Sequence, residues 1–592
     1  MDHREILTRY KAGTLDRRHA ITLLRGGSPA GPGRPPVPHP TAPPAAGGHL
    51  PAVAEGCAVI GIAGRYPHAP DLGAFWLEVL KARETVSAPP ARRAGAGGGA
   101  RGRFIERADE FDPEFFGLPG TEAALMDPQE RLFLEVAWET LESAGYTGVR
   151  LDALAAADGE RRSVGVYAAI CSADYALLAA QAQAQAQVQA DGCPAPLVDG
   201  GHWRVPNRLS VLLDLRGPSH SVDTAQSSFL TAVHQALGAL RTGECAAALV
   251  GAVDLRLHPS RHTPGGGEAV GAILLKPLAR ARADGDTVHA VIRSSAVVHQ
   301  GSNDPQATEE RLARAARTTA GIGAADITLR ESAHSVSRGV GDAGAATAVA
   351  ALTRTVLQLR HATLAPDGPG ARARPWTPRT ADGTPLRRTA SVTVRGAGGV
   401  CAQLVVEEYP HPHRPATAAP ARPSPPGGQE ELVLLSAPTR QHLVATARRF
   451  AVWAAALHDA DGAIPAPADL ARELRTGRAA MDCRLAVTVR DTAQLAAALR
   501  AFGRDPEARH TAVSSADLRA RTAVPPLDAE LPETRDYLTA LWRARRHEQL
   551  TRLWLSGVDV NAVARPRTPV VPLPTTALIR RPLWFDRGEH TR

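Results

Sequence analysis

Short apolar runs alternate with amphipathic stretches through the middle of the chain. Cys57–Ala63, Arg162–Ala169, Ala247–Asp254, Ser391–Val394 and Ala402–Glu407 are strand-length and largely apolar, as strands buried on both faces should be. Between them, Leu72–Ala82, Pro128–Ala144 and Ala343–Leu359 read as helices, the clearest marked by Leu132, Leu134, Val136, Ala137 and Leu141. Val270–Leu275 and Val288–Val298 read as a strand pair joined through Asp284-Gly285. This order predicts an α/β body whose central sheets are covered by helices. One corner organises it. Ser221-Val222 is a short strand, a tight turn follows, and a helix then runs through Ala232, Val233, Ala236, Leu237 and Leu240. The turn carries Gln226. The first N–H groups of a helix point at whatever such a corner presents, and nucleophiles are often mounted this way. A glutamine amide donates and accepts hydrogen bonds but attacks nothing.

The same patterning divides the chain. Residues 1–26 hold two short helices, too small to make a core alone, and are expected to dock on another chain's helices. Residues 27–56 and 409–430 are Pro-rich linkers around a body at 57–408. A smaller α/β unit at 431–570 contains strand Leu432–Ser436, helix Arg440–Leu457, strand Leu485–Val489, helix Thr492–Phe502 and a long amphipathic helix Tyr537–Leu555. The apolar tail 571–592 is stable only if it lies back along the body.

Composition narrows the function. The 592 residues are 44% hydrophobic and 22% charged, ordinary for a globular protein. The net charge of +8 is spread along the chain without a basic block or an aromatic-interleaved basic patch, which argues against nucleic-acid binding. The six cysteines are scattered and form no metal-ligand or redox spacing, as in a reduced, cytoplasmic protein. The first residues have no signal-peptide core, and no apolar run reaches the ~20 residues of a membrane helix. His220 and His299 are read as structural, and no metal site is expected.

The motifs carry a resemblance. Val59-Ile60-Gly61-Ile62-Ala63-Gly64-Arg65-Tyr66-Pro67, Phe111-Asp112-Pro113-Glu114-Phe115-Phe116-Gly117, Met126-Asp127-Pro128-Gln129, Glu135-Val136-Ala137-Trp138-Glu139 and Val222-Asp223-Thr224-Ala225-Gln226-Ser227-Ser228 stand in order. Together they resemble the β-ketoacyl synthase (ketosynthase) domain of modular type I polyketide synthases. The resemblance implies a thiolase-like fold for 57–408, with 431–570 as the linker domain that follows such domains and 1–26 as a docking element. Leu474-Arg475-Thr476-Gly477-Arg478 and the tail Leu573-Pro574-Thr575 with Trp584-Phe585 resemble that linker. No G-x-S-x-G acyltransferase motif lies between body and tail, which suggests an assembly line supplied by a separate acyltransferase (trans-acyltransferase type). The implied partners are an acyl carrier protein, neighbouring polyketide synthase modules and a second copy in a homodimer. No cofactor is implied for this chain, since phosphopantetheine would be carried by the carrier protein.

A condensing ketosynthase, as the family implies, needs a cysteine and two histidines. Gln226 stands where the family has the cysteine. Glu331-Ser332-Ala333-His334-Ser335 makes His334 the remnant of the first histidine, without the glycine-threonine turns. Ser337-Arg338-Gly339-Val340-Gly341 replaces the run before the second, leaving Asp342 at the histidine and Ser337 at the lysine. Two long family segments are also missing: one between these motifs, and one where only His258–Gly267 remains. Arg395 replaces a gating phenylalanine. Two readings follow: a non-elongating scaffold or chain-passing component, or a glutamine-type loading ketosynthase that decarboxylates malonyl-acyl carrier protein. A third leaves His334 and Asp342 as a base pair, or as an ion pair and no more.

Overall fold

The structure, a computed structural model, describes residues 55–93, 101–156, 158–188, 198–301, 304–368, 370–410, 429–459, 464–519, 525–529, 531–561 and 573–585. The expected docking element at 1–26 and most of both linkers lie outside these residues.

Sixteen strands are found among the described residues, named in chain order. They are β1 (Cys57–Arg65), β2 (Glu110–Phe111), β3 (Val164–Ala169), β4 (Ser219–Val222), β5 (Ala247–Asp254), β6 (Ala269–Pro277), β7 (Ala290–His299), β8 (Leu329–Ser332), β9 (Thr363–Leu364), β10 (Arg374–Pro375), β11 (Thr389–Arg395), β12 (Val400–Glu407), β13 (Glu431–Ala437), β14 (Cys483–Val489), β15 (Val513–Asp517) and β16 (Arg581–Pro582). Nine form one mixed sheet in the order β4-β3-β5-β6-β1-β7-β12-β11-β8. β3 runs parallel to β4 and β5, and β8 parallel to β11, while the remaining neighbours are antiparallel. This is the expected α/β architecture with the thiolase-like arrangement.

Period-two alternation sorts the two faces. Val59, Val250, Ile292, Val392 and Leu404 point to the face covered by helices Ser228–Thr242 and Thr347–His361, where Phe229, Val233, Val349 and Leu352 are fully buried. Ile60, Leu249 and Leu274 point the other way, against Phe133 and Leu134 of helix Pro128–Ser143. That helix starts where Asp127 caps it and Pro128 presets its first turn. Further along the same outer face, Leu312, Ala316 and Ala320 of helix Pro305–Ala320 cover Ala296, Cys401 and Val405.

Two expectations are corrected. β6 and β7 are not a hairpin: helix Leu278–Ala283 follows β6, and β1 lies between the strands, pairing Cys57 with both Pro277 and Ile292. The span Tyr537–Leu555 is two helices, Pro532–Arg543 and His547–Leu555, broken at Arg545, whose φ of 54° lies in the left-handed region.

In the C-terminal part, β13-β14-β15 is an antiparallel sheet between helices Arg440–Asp459 and Thr492–Arg504 on one face and Pro532–Arg543 and His547–Leu555 on the other. It belongs to the same compact unit, Ala54–Arg592, as the large sheet. His442 Nε2 meets Asp112 Oδ2 at 2.6 Å with both side chains buried. Residues 573–585 lie along the large sheet's outer helices. β16 pairs with β2, Arg131 donates to the Leu583 carbonyl at 2.9 Å, and Glu142 accepts from the Thr576 N–H at 2.8 Å.

Candidate functional site

The corner after β4 is tied by its own side chains. Asp223 Oδ1 accepts from the Ala225 N–H at 3.1 Å, and Ser228 Oγ accepts from the Thr224 N–H at 2.8 Å. Ser227 and Ser228 hydroxyls donate to the carbonyls of Thr224 and Ala225 at 2.7 and 2.6 Å. These bonds hold Ala225 at φ 56°, a conformation that L residues rarely adopt, and so project Gln226 from the corner. The turn between β11 and β12 packs onto it through Gly396. A Cβ there would come within 2.8 Å of Ser227 Oγ and of the Thr224 carbonyl, so only glycine allows the approach. The next residue completes the contact: the Ala397 N–H donates to Gln226 Oε1 at 2.9 Å. One end of the amide is thereby fixed, and Nε2 has no partner among the described residues.

The C-terminal ends of parallel strands β3, β4 and β5 converge here, where open α/β sheets place their ligands. Cys171, just after β3, lies with its Sγ 3.3 Å from Oδ2 of Asp254, the last residue of β5. Burial, then the neighbouring Asp254, pushes the Cys171 thiol up to about 12, so it is a poor nucleophile at neutral pH. Burial raises the Asp254 carboxyl to about 6 against the opposing pull of Arg261. Arg261, from the short segment His258–Gly267, bridges Asp254 at 2.8 Å and Asp174 at 3.2 Å.

Asp342 joins this neighbourhood through its backbone. It bridges to Gly266, its carboxylate accepts from the Gly344 N–H at 3.0 Å, and Gly344 (φ 48°) lies against Asp254. His334 is placed elsewhere. It is exposed on the one-turn helix Ala333–Val336 and lines a cavity of about 260 Å³ with Phe75, Val79, Val336, Arg338 and Arg354. Gln226 and Asp342 do not line that cavity. The structure has no ion pair between His334 and Asp342, which corrects the expectation of a pair. The seven residues between them go into the helix and the Val336–Gly341 turns.

Sequence reading missed the Ala397 N–H and the Cys171–Asp254–Arg261 group. The first gives no signal, since a backbone donor carries no residue type. The second was findable in part, because Asp254 ends one predicted strand and Cys171 lies two residues past the end of another. His220 stacks on Tyr167 with ring centres 5.6 Å apart, and His299 Nε2 lies 3.1 Å from the Gly398 carbonyl oxygen. Among the described residues no cluster of metal ligands occurs, and no helix is long and apolar enough to cross a membrane.

Comparison with known proteins fits this geometry. Residues 54–264 match the family described as beta-ketoacyl synthase, N-terminal domain, and residues 434–505 match the RhiE-like KS-MAT linker domain. The chain carries a ketosynthase domain of the modular polyketide synthase kind. Polyketide synthase ThaG of Burkholderia thailandensis is 34% identical over 78% of this chain, and PksM of Bacillus subtilis is 33% identical over 77%. The matches span only 9% and 12% of those much longer proteins. Among solved structures, an oxazolomycin ketosynthase domain from Streptomyces albus superposes with a TM-score of 0.72 at 28% identity, covering 90% of this chain and 99% of that one. The ketosynthase from module 6 of the Bacillus subtilis bacillaene synthase gives 0.72 at 26% identity, covering 90% and 100%. In this ketosynthase fold the corner after β4 presents an amide, and the thiol beside it, Cys171, is held on a different strand end against a carboxyl.

Proposed function

We propose that this chain is a non-elongating ketosynthase-like component of a polyketide assembly line. It docks to neighbouring modules and holds or passes acyl chains borne on an acyl carrier protein, whose phosphopantetheine is the only prosthetic group involved. The observation that carries this reading is Gln226, whose amide oxygen already occupies the Ala397 N–H. Condensation requires a thiolate to take up the acyl chain and donors to meet the enolate oxygen as it develops. Here the corner has no thiol, His334 faces a cavity that Gln226 does not line, and Asp342 binds its own loop. The absence of a G-x-S-x-G motif between body and tail supports a separate acyltransferase serving the line. β4 is an edge strand of the large sheet, with His220 and Ser221 exposed, which supports pairing with a second copy in a homodimer. The assembly is proposed to be cytoplasmic.

A second reading has an observation of its own. With Oε1 fixed by Ala397, the Nε2 group of Gln226 is a positioned donor that could meet an enolate oxygen, as in a loading-type malonyl decarboxylase. Incubation with malonyl-loaded carrier protein, followed by intact mass, separates the two. The scaffold reading expects the malonyl group to persist. Loss of carbon dioxide that disappears in Gln226→Ala would replace it with the decarboxylase.

A further inference from the structure

The outer face of the large sheet is only partly covered. Helix Pro305–Ala320 lies over Ala296, Cys401 and Val405. Beyond it the outer side of β8, β11 and β12 forms the floor of a groove of about 810 Å³, within the usual size range of small-molecule sites. The floor is polar by register. Ser332 of β8 stands opposite Thr393 of β11, and Thr393 opposite Gln403 of β12; one step along, Arg330 stands opposite Ser391. The intervening residues Val392, Val394, Ala402 and Leu404 point into the core on the other side. On this face β8 and β11 present Arg330, Ser332, Ser391 and Thr393, and β12 adds Gln403 between the covered Cys401 and Val405.

Gln403 is the unusual member. It is 4% exposed, lines the groove, and its Oε1 has no hydrogen-bond partner. An unpartnered buried amide costs about 1–3 kcal/mol, and such a group asks what it is meant to bind. The walls supply charge. Arg314 and Arg317 from the helix, and Arg330 from β8, line the groove and have no ion-pair partner among the described residues. Of the carboxylates along the groove, Glu331 is turned to the other face, where Arg354 holds it at 2.7 Å, and Glu309 is held by Arg395 at 3.5 Å. Glu310 alone is left to oppose the arginines. The groove thus offers guanidinium forks for an anion, hydroxyls from Ser332, Ser391 and Thr393, and a carbonyl-type acceptor that needs an O–H or N–H donor.

We propose that this groove binds a small hydroxylated organic phosphate, with the phosphate among Arg314, Arg317 and Arg330 and a ligand hydroxyl donating to Gln403 Oε1. The polar floor disfavours a docked amphipathic helix, which would need an apolar stripe to lie on. The groove is on the opposite sheet face from helix Ser228–Thr242, so the proposal does not depend on the chemistry at Gln226.

Isothermal titration of the full chain with ribose 5-phosphate tests it, with ribose and inorganic phosphate titrated separately. The expected result is binding at least about ten-fold tighter for ribose 5-phosphate than for either part. Arg330→Ala and Arg317→Ala, both changes in the groove wall, should each weaken it about ten-fold. Gln403→Leu should weaken it similarly while leaving the thermal midpoint unchanged or raised, because replacing an unpartnered buried amide by an apolar group loses no hydrogen bond. No heat at millimolar ligand, inorganic phosphate binding as tightly as the sugar phosphate, or variants that bind like the parent would each overturn the proposal. So would displacement of the sugar phosphate by an acidic peptide that binds more tightly.

Discussion

At the strand ends, a thiol and a carboxyl that the chemistry of condensation does not use are packed together, and their titration has a readable consequence. Asp254 is completely buried with its carboxyl raised to about 6, chiefly by burial. Below about pH 4 it is protonated in folded and unfolded chains alike, and above about pH 6 it is ionised in both. Between those limits the folded chain keeps a proton that the unfolded chain has released, so stability falls as pH rises through the window. A shift of this size is worth about 3 kcal/mol. Asp254→Asn has no such penalty. Urea unfolding should therefore show the variant gaining about 3 kcal/mol on the parent between pH 4 and pH 7. A pH-independent difference would mean that Asp254 ionises in the fold as freely as in the open chain. Gln226 at the corner was legible in the sequence, because a residue's identity at a motif position is a local fact. The Gln226–Ala397 bond was not, because it joins residues 171 positions apart through a backbone donor.

At the scale of elements, the site is two turns pressed together: the corner after β4 and the turn between β11 and β12. Gly396 sets their separation. Gly396→Ala should push the turns apart, cost about 1–3 kcal/mol of stability and lengthen the contact from Ala397 to Gln226. Thermal unfolding checks the first effect and protection of the Ala397 amide from hydrogen exchange checks the second. Parental stability with parental protection would mean that the turns do not depend on this approach. Element type was readable wherever the pattern was strong. The sheet strands are continuous apolar runs, and helix Pro128–Ser143 carries its own cap. Pairing was not readable. β6 and β7 are neighbours in sequence, yet β1 enters between them from more than 200 residues upstream, and nothing local in either strand encodes that. The break at Arg545 was equally hidden, since the apolar period resumes after it and a left-handed arginine leaves no compositional mark.

For the whole molecule, the ketosynthase fold is present, and the reactive centre is proposed to be dispersed. The nine-stranded sheet, the paired central helices and the C-terminal sheet beside them are held by cores that do not need the corner to react. His442 against Asp112 and the strand pair β2–β16 further bind the C-terminal residues to the large sheet. Stability does not depend on the chemistry of the corner, so the scaffold would stand whatever that corner does. The proposal of a non-elongating component rests on several departures together: the amide at 226, the removed position of His334, Asp342 in its own loop, and the segment shortened to His258–Gly267. Restoring one group should then restore little. The most direct measurement is intact mass of Gln226→Cys after incubation with an acyl thioester and malonyl-loaded carrier protein. The predicted result is a variant that forms no chain-extended β-ketoacyl product, whether or not the new thiol becomes acylated. Appearance of that product would contradict it, showing that a working centre lacked only its cysteine.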